Sequence, residues 1–139
     1  MTFALDARLA AESFPVGDLR LCRVLLMNDA RFPWLILVPR RAGLVEIHDL
    51  GGAERAVLIE EAAFAGKRLK ETTGAIKINT AALGNMVLQL HVHVIARFAG
   101  DAAWPGPIWG VGEAAAYAPD MAEKRLAGLR LALGLAAGE

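Results

Sequence analysis

The chain has 139 residues, of which 55% are hydrophobic, so it can bury the core of one domain and is not expected to be disordered. Its 15 basic and 15 acidic residues give a formal net charge of zero, which argues against a protein that wraps nucleic acid. A single cysteine excludes an internal disulfide bond and a cysteine-rich zinc site.

Targeting and membrane segments are not expected either. Residues 1–14, MTFALDARLAAESF, have neither the basic leader nor the long apolar run of a signal peptide. The longest apolar stretches, VLLM and WLILV, are too short to cross a membrane. We therefore predict a cytoplasmic protein with one domain over residues 1–139 and no membrane or nucleic-acid partner.

The first third of the chain predicts one short helix and two paired strands. The apolar spacing favours a helix over residues 5–13, and the Pro and Gly of residues 14–18, FPVGD, are typical of a turn. Residues 19–27 and 34–38 are rich in aliphatic side chains and predict strands, with residues 28–33 as the loop between them.

Two helices and two further strands are predicted in the rest of the chain. Asp49 is expected to cap a helix that runs to about residue 73, where Gly74 ends it. The inner face of this helix carries four apolar residues at helical spacing: Leu58, Ala62, Ala65 and Leu69. Residues 75–79 and 87–98 predict strands, and the tail from Pro119 predicts a helix. This pattern indicates an α+β fold around a mainly antiparallel sheet.

The strand predicted over residues 87–98 carries the most informative side chains. Because side chains alternate along a strand, Gln89, His91 and His93 share one face, while apolar residues occupy the other. Same-face neighbours lie about 6.6 Å apart along a strand, so the two imidazoles could flank one phosphate group.

Histidines suit phosphate chemistry because a neutral imidazole, with an ordinary pKa of about 6.5, is nucleophilic near neutral pH. If a backbone carbonyl accepts a hydrogen bond from the N–H of one ring nitrogen, the lone pair of the other nitrogen faces the substrate. The second histidine then donates to the departing oxygen as a general acid.

Two other interpretations remain open for this strand. A His-x-His pair taken alone is more often structural, with both rings satisfied on a sheet face. A metal site needs a third ligand, and the only other histidine, His48, lies beside a predicted helix cap. We therefore predict no metal and no cofactor.

A loop with exposed backbone is expected just before the histidine strand. Asn79 and Gly84 lie in the segment NTAALGNM, and a glycine at the entrance of a strand can leave N–H groups free to bind an oxyanion. Such loops are common, so the signal depends on its place directly before His91.

Together these segments resemble the histidine triad (HIT) superfamily. Asn79, the segment GNMV at 84–87, QLHVHVI at 89–95 and Arg97 are similar to the pattern N…GQxV-x-HφHφHφφ-x-R. The resemblance implies a HIT-like fold, with a sheet of about five strands, a long helix on one face and a C-terminal helix. It also implies cleavage or transfer of nucleoside monophosphate units through a nucleotidyl-histidine intermediate, without a required metal, in a homodimer.

The resemblance assigns roles to individual residues. The nucleophile falls on His91, the last triad histidine on His93, and the first triad position on Gln89. Phosphate contacts fall on four residues: Asn79, Gly84, Asn85 and Met86. Asn28 and Asp29 resemble the ribose-binding position. Trp104 resembles an aromatic element that in some branches reaches the partner subunit.

Three departures from the family pattern bear on activity. Gln89 cannot carry a proton at neutral pH, so any relay through this position is lost. Asn85 and Met86 replace the usual Gln and a frequent Ser or Thr, so a hydroxyl for phosphate is missing. Residues 32–34, FPW, stand where many members have a Pro-Gly-His type sequence.

The three tryptophans allow more than one interpretation. Trp34 begins an apolar strand, which favours packing in the core or a dimer interface over stacking on a base. Trp104 and Trp109 lie in a Pro/Gly-rich stretch and need a burial partner, either in their own subunit or in a neighbouring one.

Two functions are consistent with this sequence. The first is a hydrolase or transferase that acts on a purine nucleotide or dinucleotide, either a dinucleoside polyphosphate or a nucleoside phosphoramidate. The second is a non-catalytic nucleotide-binding or regulatory module, which the departures at Gln89, Asn85 and Met86 would favour.

Overall fold

The computed structural model describes residues 2–136, so residue 1 and residues 137–139 of the predicted domain lie outside the described part. Within it, five strands form one antiparallel sheet in the order β1-β2-β3-β5-β4. The strands are β1 (Ser13–Asp18), β2 (Cys22–Met27), β3 (Trp34–Pro39), β4 (Lys77–Ala81) and β5 (Val92–Arg97). The helices are α1 (Ala7–Ala11), α2 (Gly52–Thr73) and α3 (Pro119–Leu133), with a 3-10 turn at Ile47–Asp49. The α+β prediction with an antiparallel sheet is confirmed.

Helix α2 packs on one face of the sheet, as its apolar spacing predicts. The four predicted inner residues, Leu58, Ala62, Ala65 and Leu69, are all buried. Gly66 lets the helix approach β4 closely, because a Cβ there would lie 3.3 Å from a methyl carbon of Ile78. Gly74 adopts the left-handed conformation with φ +73° and ends the helix where predicted. Helix α3 adds its own buried stripe from Pro119 onwards, also as predicted.

A buried carboxylate ties α2 to the start of β2. Glu61, only 9% exposed, accepts hydrogen bonds from the backbone N–H groups of Leu21 at 2.9 Å and Cys22 at 2.8 Å. Burial, followed by the negative charge of Glu61, raises the pKa of the Cys22 thiol far above its ordinary value. Cys22 is therefore an unreactive core residue.

The opposite face of the sheet carries a second, smaller core. Leu25, Ile36 and Ile95 project from three strands and pack with Phe32 and Ile108, which come from loops. His93 lies on this face, since it pairs with Ile36 and is two residues before Ile95 in β5.

The predicted turn at residues 14–18 is wrong, because these residues belong to β1. Pro15 is tolerated there since β1 is an edge strand, where a missing N–H costs no ladder bond on the outer side. The register against β2 shifts between Pro15 and Gly17, which marks a bulge. Pro and Gly thus signal an irregular edge rather than a turn.

Several predicted boundaries also differ. Helix α1 is shorter than residues 5–13 because Asp6 caps it, accepting from the backbone N–H groups of Arg8 and Leu9. Asp49 does not cap α2, whose N-cap is Gly51; it ends the 3-10 turn and accepts from the backbone N–H groups of Val45 and Glu46. Strand β2 starts at residue 22 and β4 covers 77–81 instead of 75–79.

The histidine strand is shorter than predicted as well. Residues 87–91 precede β5, and the N–H of Leu90 donates to the carbonyl of Leu44 at 3.0 Å instead of to a sheet neighbour. His91 therefore lies at the entrance of the strand, and His93 lies within it.

Candidate functional site

His91 has one ring nitrogen fixed by the backbone. Its Nδ1 lies 2.6 Å from the carbonyl oxygen of Gln89, and the side chain is only 6% exposed. Because a carbonyl oxygen can only accept, Nδ1 carries the proton and Nε2 keeps its lone pair. His91 is thus held in the tautomer that a nitrogen nucleophile needs.

His93 has the opposite arrangement. The indole Nε1–H of Trp34 donates to His93 Nδ1 at 3.0 Å. An indole nitrogen only donates, so Nδ1 is unprotonated and the His93 proton lies on Nε2. Burial first, and the charge of His91 second, lower the pKa of His93 to about 4. The two histidine rings lie 4.9 Å apart between centroids and meet edge to face.

Gln89 points its side chain toward the N-terminal segment. Its Oε1 accepts from the backbone N–H of Asp6 at 2.8 Å, and its Nε2 donates to the carbonyl of Ala4 at 2.9 Å. The side chain thus anchors the segment before α1, while the backbone carbonyl of the same residue orients His91.

Trp109 covers His93 from the loop after β5. Its ring lies 5.2 Å from that of His93 and 6.4 Å from that of Trp34, with both contacts edge to face. Trp109 is half-buried and packs against the chain's own second apolar cluster, while contact with a neighbouring subunit stays a prediction.

A cavity of about 470 Å³ lies beside this aromatic cluster. Trp34 and Trp109, both of which contact His93, form one wall, and Met27, Asn28 and Asp29 form part of another. Its volume is within the range of small-molecule sites. It therefore offers room for a nucleoside next to the two tryptophans that contact His93.

Asn28 and Asp29, which line this cavity, make polar contacts with neighbouring loop residues. Asn28 Oδ1 accepts from the N–H of Tyr117 at 2.8 Å, and Asp29 forms a salt bridge with Arg31 at 2.8 Å. Burial raises the pKa of the Asp29 carboxyl, but hydrogen bonds from Arg31 and from the N–H of Ala115 outweigh it, so the net pKa is below the ordinary value. A ribose role for either residue stays a prediction.

A second polar cluster surrounds Arg97, which is 1% exposed. Its guanidinium makes two hydrogen bonds with Asp101, one with Asn79 Oδ1 at 2.7 Å and one with the carbonyl of Gly106. Trp104 covers it, with the guanidinium carbon 5.5 Å from the ring centroid. Asn79 and Trp104 thus contact Arg97, and their substrate roles stay predictions.

The predicted phosphate loop lies next to His91. Gly84 has φ +74°, a conformation that favours glycine, and with Leu90 and His91 it lines a cavity of about 150 Å³. Asn85 and Met86 are exposed, and their side chains are free to contact a ligand.

Metal ligands are not grouped in the described residues: no three His, Cys, Asp or Glu side chains lie close enough together to hold an ion. His48 is 82% exposed on the 3-10 turn, and its nearest carboxylate is that of Asp49 at 4.0 Å.

Residues 8–100 match the family model of the HIT domain. The chain belongs to the HIT family. No curated protein is significantly similar to it. Over the described residues, the structure contains no helix long and apolar enough to cross a membrane.

Three solved HIT structures are similar over nearly their whole length. A histidine triad protein from Bradyrhizobium japonicum is 45% identical with a TM-score of 0.93, covering 96% of this chain and 99% of its own. A HIT protein from Sinorhizobium meliloti is 48% identical with a TM-score of 0.91, covering 94% and 96%. A histidine triad protein from Marinobacter aquaeolei is 44% identical with a TM-score of 0.94, covering 96% and 98%.

Within this HIT domain, two contacts of His93 were not anticipated from the sequence. The sequence favours packing for Trp34 and gives no reason for Trp109 to contact a histidine. The register that puts Trp34 opposite Ile95 would have placed its ring near His93, but the sequence contains no local signal for that register. Trp109 lies in a loop whose path no pattern specifies.

Proposed function

We propose that this HIT chain is a nucleotidyl hydrolase or transferase with His91 as its nucleophile. It would cleave a nucleoside monophosphate unit from a dinucleoside polyphosphate or a nucleoside phosphoramidate. The observation that carries the proposal is the 2.6 Å contact between His91 Nδ1 and the Gln89 carbonyl, which leaves the Nε2 lone pair free.

The chemistry follows from that lone pair. Nε2 of His91 attacks phosphorus, a bond forms between nitrogen and phosphorus, and the bond to the leaving group breaks. Water then attacks phosphorus and loses a proton to the solvent, while the nitrogen–phosphorus bond breaks and its electron pair returns to Nε2 of His91. A neutral imidazole needs no base for the first step, because its attacking nitrogen carries no proton.

Two cavities support the binding part of the proposal. The small cavity beside Gly84 and His91 has the backbone of a left-handed turn at its edge, which suits a phosphate. The larger cavity beside Trp34 and Trp109 has an aromatic wall, which suits a purine base. Asn28, Asp29, Asn79, Asn85, Met86 and Trp104 remain the further candidates for substrate contact.

The test is trapping of the intermediate. Wild-type protein is incubated with diadenosine tetraphosphate or adenosine 5′-phosphoramidate, and the intact mass is measured after rapid quenching. An added adenosine monophosphate unit should map by proteolysis to His91. The His91→Asn variant should lose the adduct and fall by about 10³-fold or more in kcat/KM, since an essential nucleophile is gone.

His48→Asn is the matched control, because it removes a histidine that is 82% exposed. It should keep both the adduct and the turnover. Full activity of His91→Asn, or an adduct on another residue, would contradict the assignment.

A non-catalytic nucleotide-binding module is the second candidate, and the conformation of Gln89 favours it. The first triad position is occupied by a side chain bonded to Ala4 and Asp6, so it offers no proton relay. Nucleotide binding by calorimetry without adduct or turnover would support this function over the first.

We also propose a cytoplasmic homodimer of single-domain subunits. Ile59 on α2 is 63% exposed and Ile76, next to the edge strand β4, is 55% exposed. Exposed apolar side chains and a free strand edge are each typical of an interface. A monomeric mass in light scattering at micromolar concentration would refute the dimer.

A further inference from the structure

We infer that Trp34 fixes His93 as a neutral hydrogen-bond donor, so that the site selects leaving groups that depart as anions. Phosphoanhydrides would then be substrates in preference to phosphoramidates. This selection rests on the proposed function of His91, and it names the substrate class within that function. Trp34 acts here as a positioning residue, since it works through His93.

The register of the sheet brings the two side chains together. Ile36 pairs with His93 and Trp34 pairs with Ile95, so Trp34 and His93 are diagonal neighbours on one face of β3 and β5. Diagonal neighbours are within reach of aromatic side chains. The resulting hydrogen bond from Trp34 Nε1–H to His93 Nδ1 measures 3.0 Å. Trp34 is 7% and His93 6% exposed, so water has little access to compete for it.

This hydrogen bond prevents His93 from acting as the general acid expected from the sequence. An imidazolium carries protons on both nitrogens, and a proton on Nδ1 would point at the indole N–H, which cannot accept it. Transfer of the single Nε2 proton from neutral His93 would leave an imidazolate anion in a buried site, which is strongly disfavoured. His93 therefore donates a hydrogen bond but keeps its proton.

The other rings around His93 do not supply a proton either. Trp109 covers it from the loop after β5, and His91 approaches it along its own segment. Of these contacting rings, only that of His91 is titratable, and its Nδ1 proton is held by the Gln89 carbonyl.

The leaving group therefore decides the rate. With a phosphoanhydride, His91 Nε2 forms a bond to phosphorus, the bridging P–O bond breaks, and the electron pair leaves on a phosphate oxygen. That oxygen needs no proton, and the Nε2–H of His93 stabilises its charge by a hydrogen bond. With a phosphoramidate, the P–N bond breaks, and the departing nitrogen must gain a proton that His93 does not release.

The first measurement is the protonation of His93, which does not depend on turnover. Full-length protein labelled with ¹⁵N in histidine is studied by long-range ¹H–¹⁵N NMR between pH 5 and pH 8. His93 should show an unprotonated Nδ1 and a protonated Nε2 over this whole range. A protonated Nδ1 in the wild-type protein would overturn the inference, and this test needs no variant to fold.

Two substitutions separate the hydrogen bond from packing. Trp34→Phe keeps an aromatic ring but removes the N–H, so His93 should lose its fixed tautomer and gain a second proton at higher pH than in the wild type. Trp109→Phe is the matched control, because Trp109 contacts His93 only through ring edges. It should leave the tautomer of His93 unchanged. The same change in both variants would refute the specific role of Trp34.

The second measurement is the leaving-group preference. For the wild type, kcat/KM should be at least tenfold higher with diadenosine tetraphosphate than with adenosine 5′-phosphoramidate at pH 7.5. In Trp34→Phe the ratio of the two kcat/KM values should be closer to one. Its kcat/KM for the phosphoramidate should rise as the pH falls from 7.5 to 5.5. Equal or faster cleavage of the phosphoramidate by the wild type would overturn the preference.

Failure of the proposed function gives a different result. If neither substrate yields turnover or an adduct, the nucleotidyl chemistry and the leaving-group preference are both refuted. The tautomer measurement would still decide whether Trp34 orients His93.

Discussion

Replacement of Asp101 by Asn is expected to destabilise the protein strongly, because it leaves a buried arginine without its counter-charge. The Arg97 and Asp101 side chains are 1% and 5% exposed. Asp101 accepts two hydrogen bonds from Arg97, at 2.8 and 3.0 Å, and three from the backbone N–H groups of Phe98, Ala103 and Trp104. Asn would keep one acceptor oxygen and turn an NH₂ group toward these donors.

The size of the effect follows from burial. Removing one partner of a buried ion pair costs about 3–5 kcal/mol, because the other charge stays in the interior without compensation. For a chain of this length, about 3 °C of melting temperature corresponds to each kcal/mol, so the transition should fall by about 10–15 °C. The loop that carries Trp109 starts at this cluster, so its contact with His93 should loosen as well.

The assay is thermal and urea denaturation followed by circular dichroism, with Asp18→Asn as the matched control. Asp18 forms the same two kinds of contact with Arg23, at 3.0 and 3.3 Å, but both side chains are 36% exposed. An exposed pair of this kind contributes only about 0.2–1 kcal/mol. If Asp101→Asn loses no more stability than Asp18→Asn, the burial argument is refuted.

Acid titration provides an independent check on the same pair. Hydrogen bonds from Arg97 are the main reason that the pKa of Asp101 lies far below its ordinary value in the folded protein. A lowered carboxyl pKa stabilises the folded state fully above the unfolded pKa of about 3.9, and the contribution is lost as the pH falls below that value. On acidification from about pH 5 to pH 2, the unfolding free energy of Asp101→Asn should therefore fall by less than that of the wild type.

Three further predictions concern Gln89, Glu61 and metals. Gln89→Ala removes two hydrogen bonds to the N-terminal segment and should cost about 1–2 kcal/mol in urea denaturation, yet lower kcat/KM less than tenfold. A kinetic loss as large as that of His91→Asn would contradict this. Glu61→Gln deprives one buried N–H of its acceptor and should cost about 1–3 kcal/mol of unfolding free energy, whereas a loss below about 0.5 kcal/mol would count against the contact. Activity should survive EDTA, and a loss that one added metal restores would overturn the metal-independent mechanism.

The elements with local signals could be predicted from the sequence. Helix α2 has apolar residues at helical spacing and a glycine at its end, and α3 starts at a proline with a similar stripe. The loop at 28–33 was predictable for the same reason, since its polar residues and proline interrupt two aliphatic runs. These signals do not depend on what packs against them.

The contacts that complete the site depend on distant pairing and could not be predicted. Trp34 meets His93 only because β3 and β5 pair in one particular register, across 59 residues of sequence. Gln89 bonds to residues more than 80 positions away, which no local pattern encodes. The turn predicted at Pro15 and Gly17 failed because edge position, a tertiary property, decides whether those residues fit a strand.

The backbone and the side chain of Gln89 have different roles, which explains how the first triad position can lack a histidine. His91 is oriented by the main-chain carbonyl of Gln89, and every residue type provides that carbonyl. The side chain is thereby free for another use, which here is the anchoring of Ala4 and Asp6. The departure at position 89 thus leaves the tautomer of His91 untouched. In the proposed mechanism, the residue that limits protonation of the leaving group is instead Trp34, whose indole N–H only donates and is bonded to His93 Nδ1.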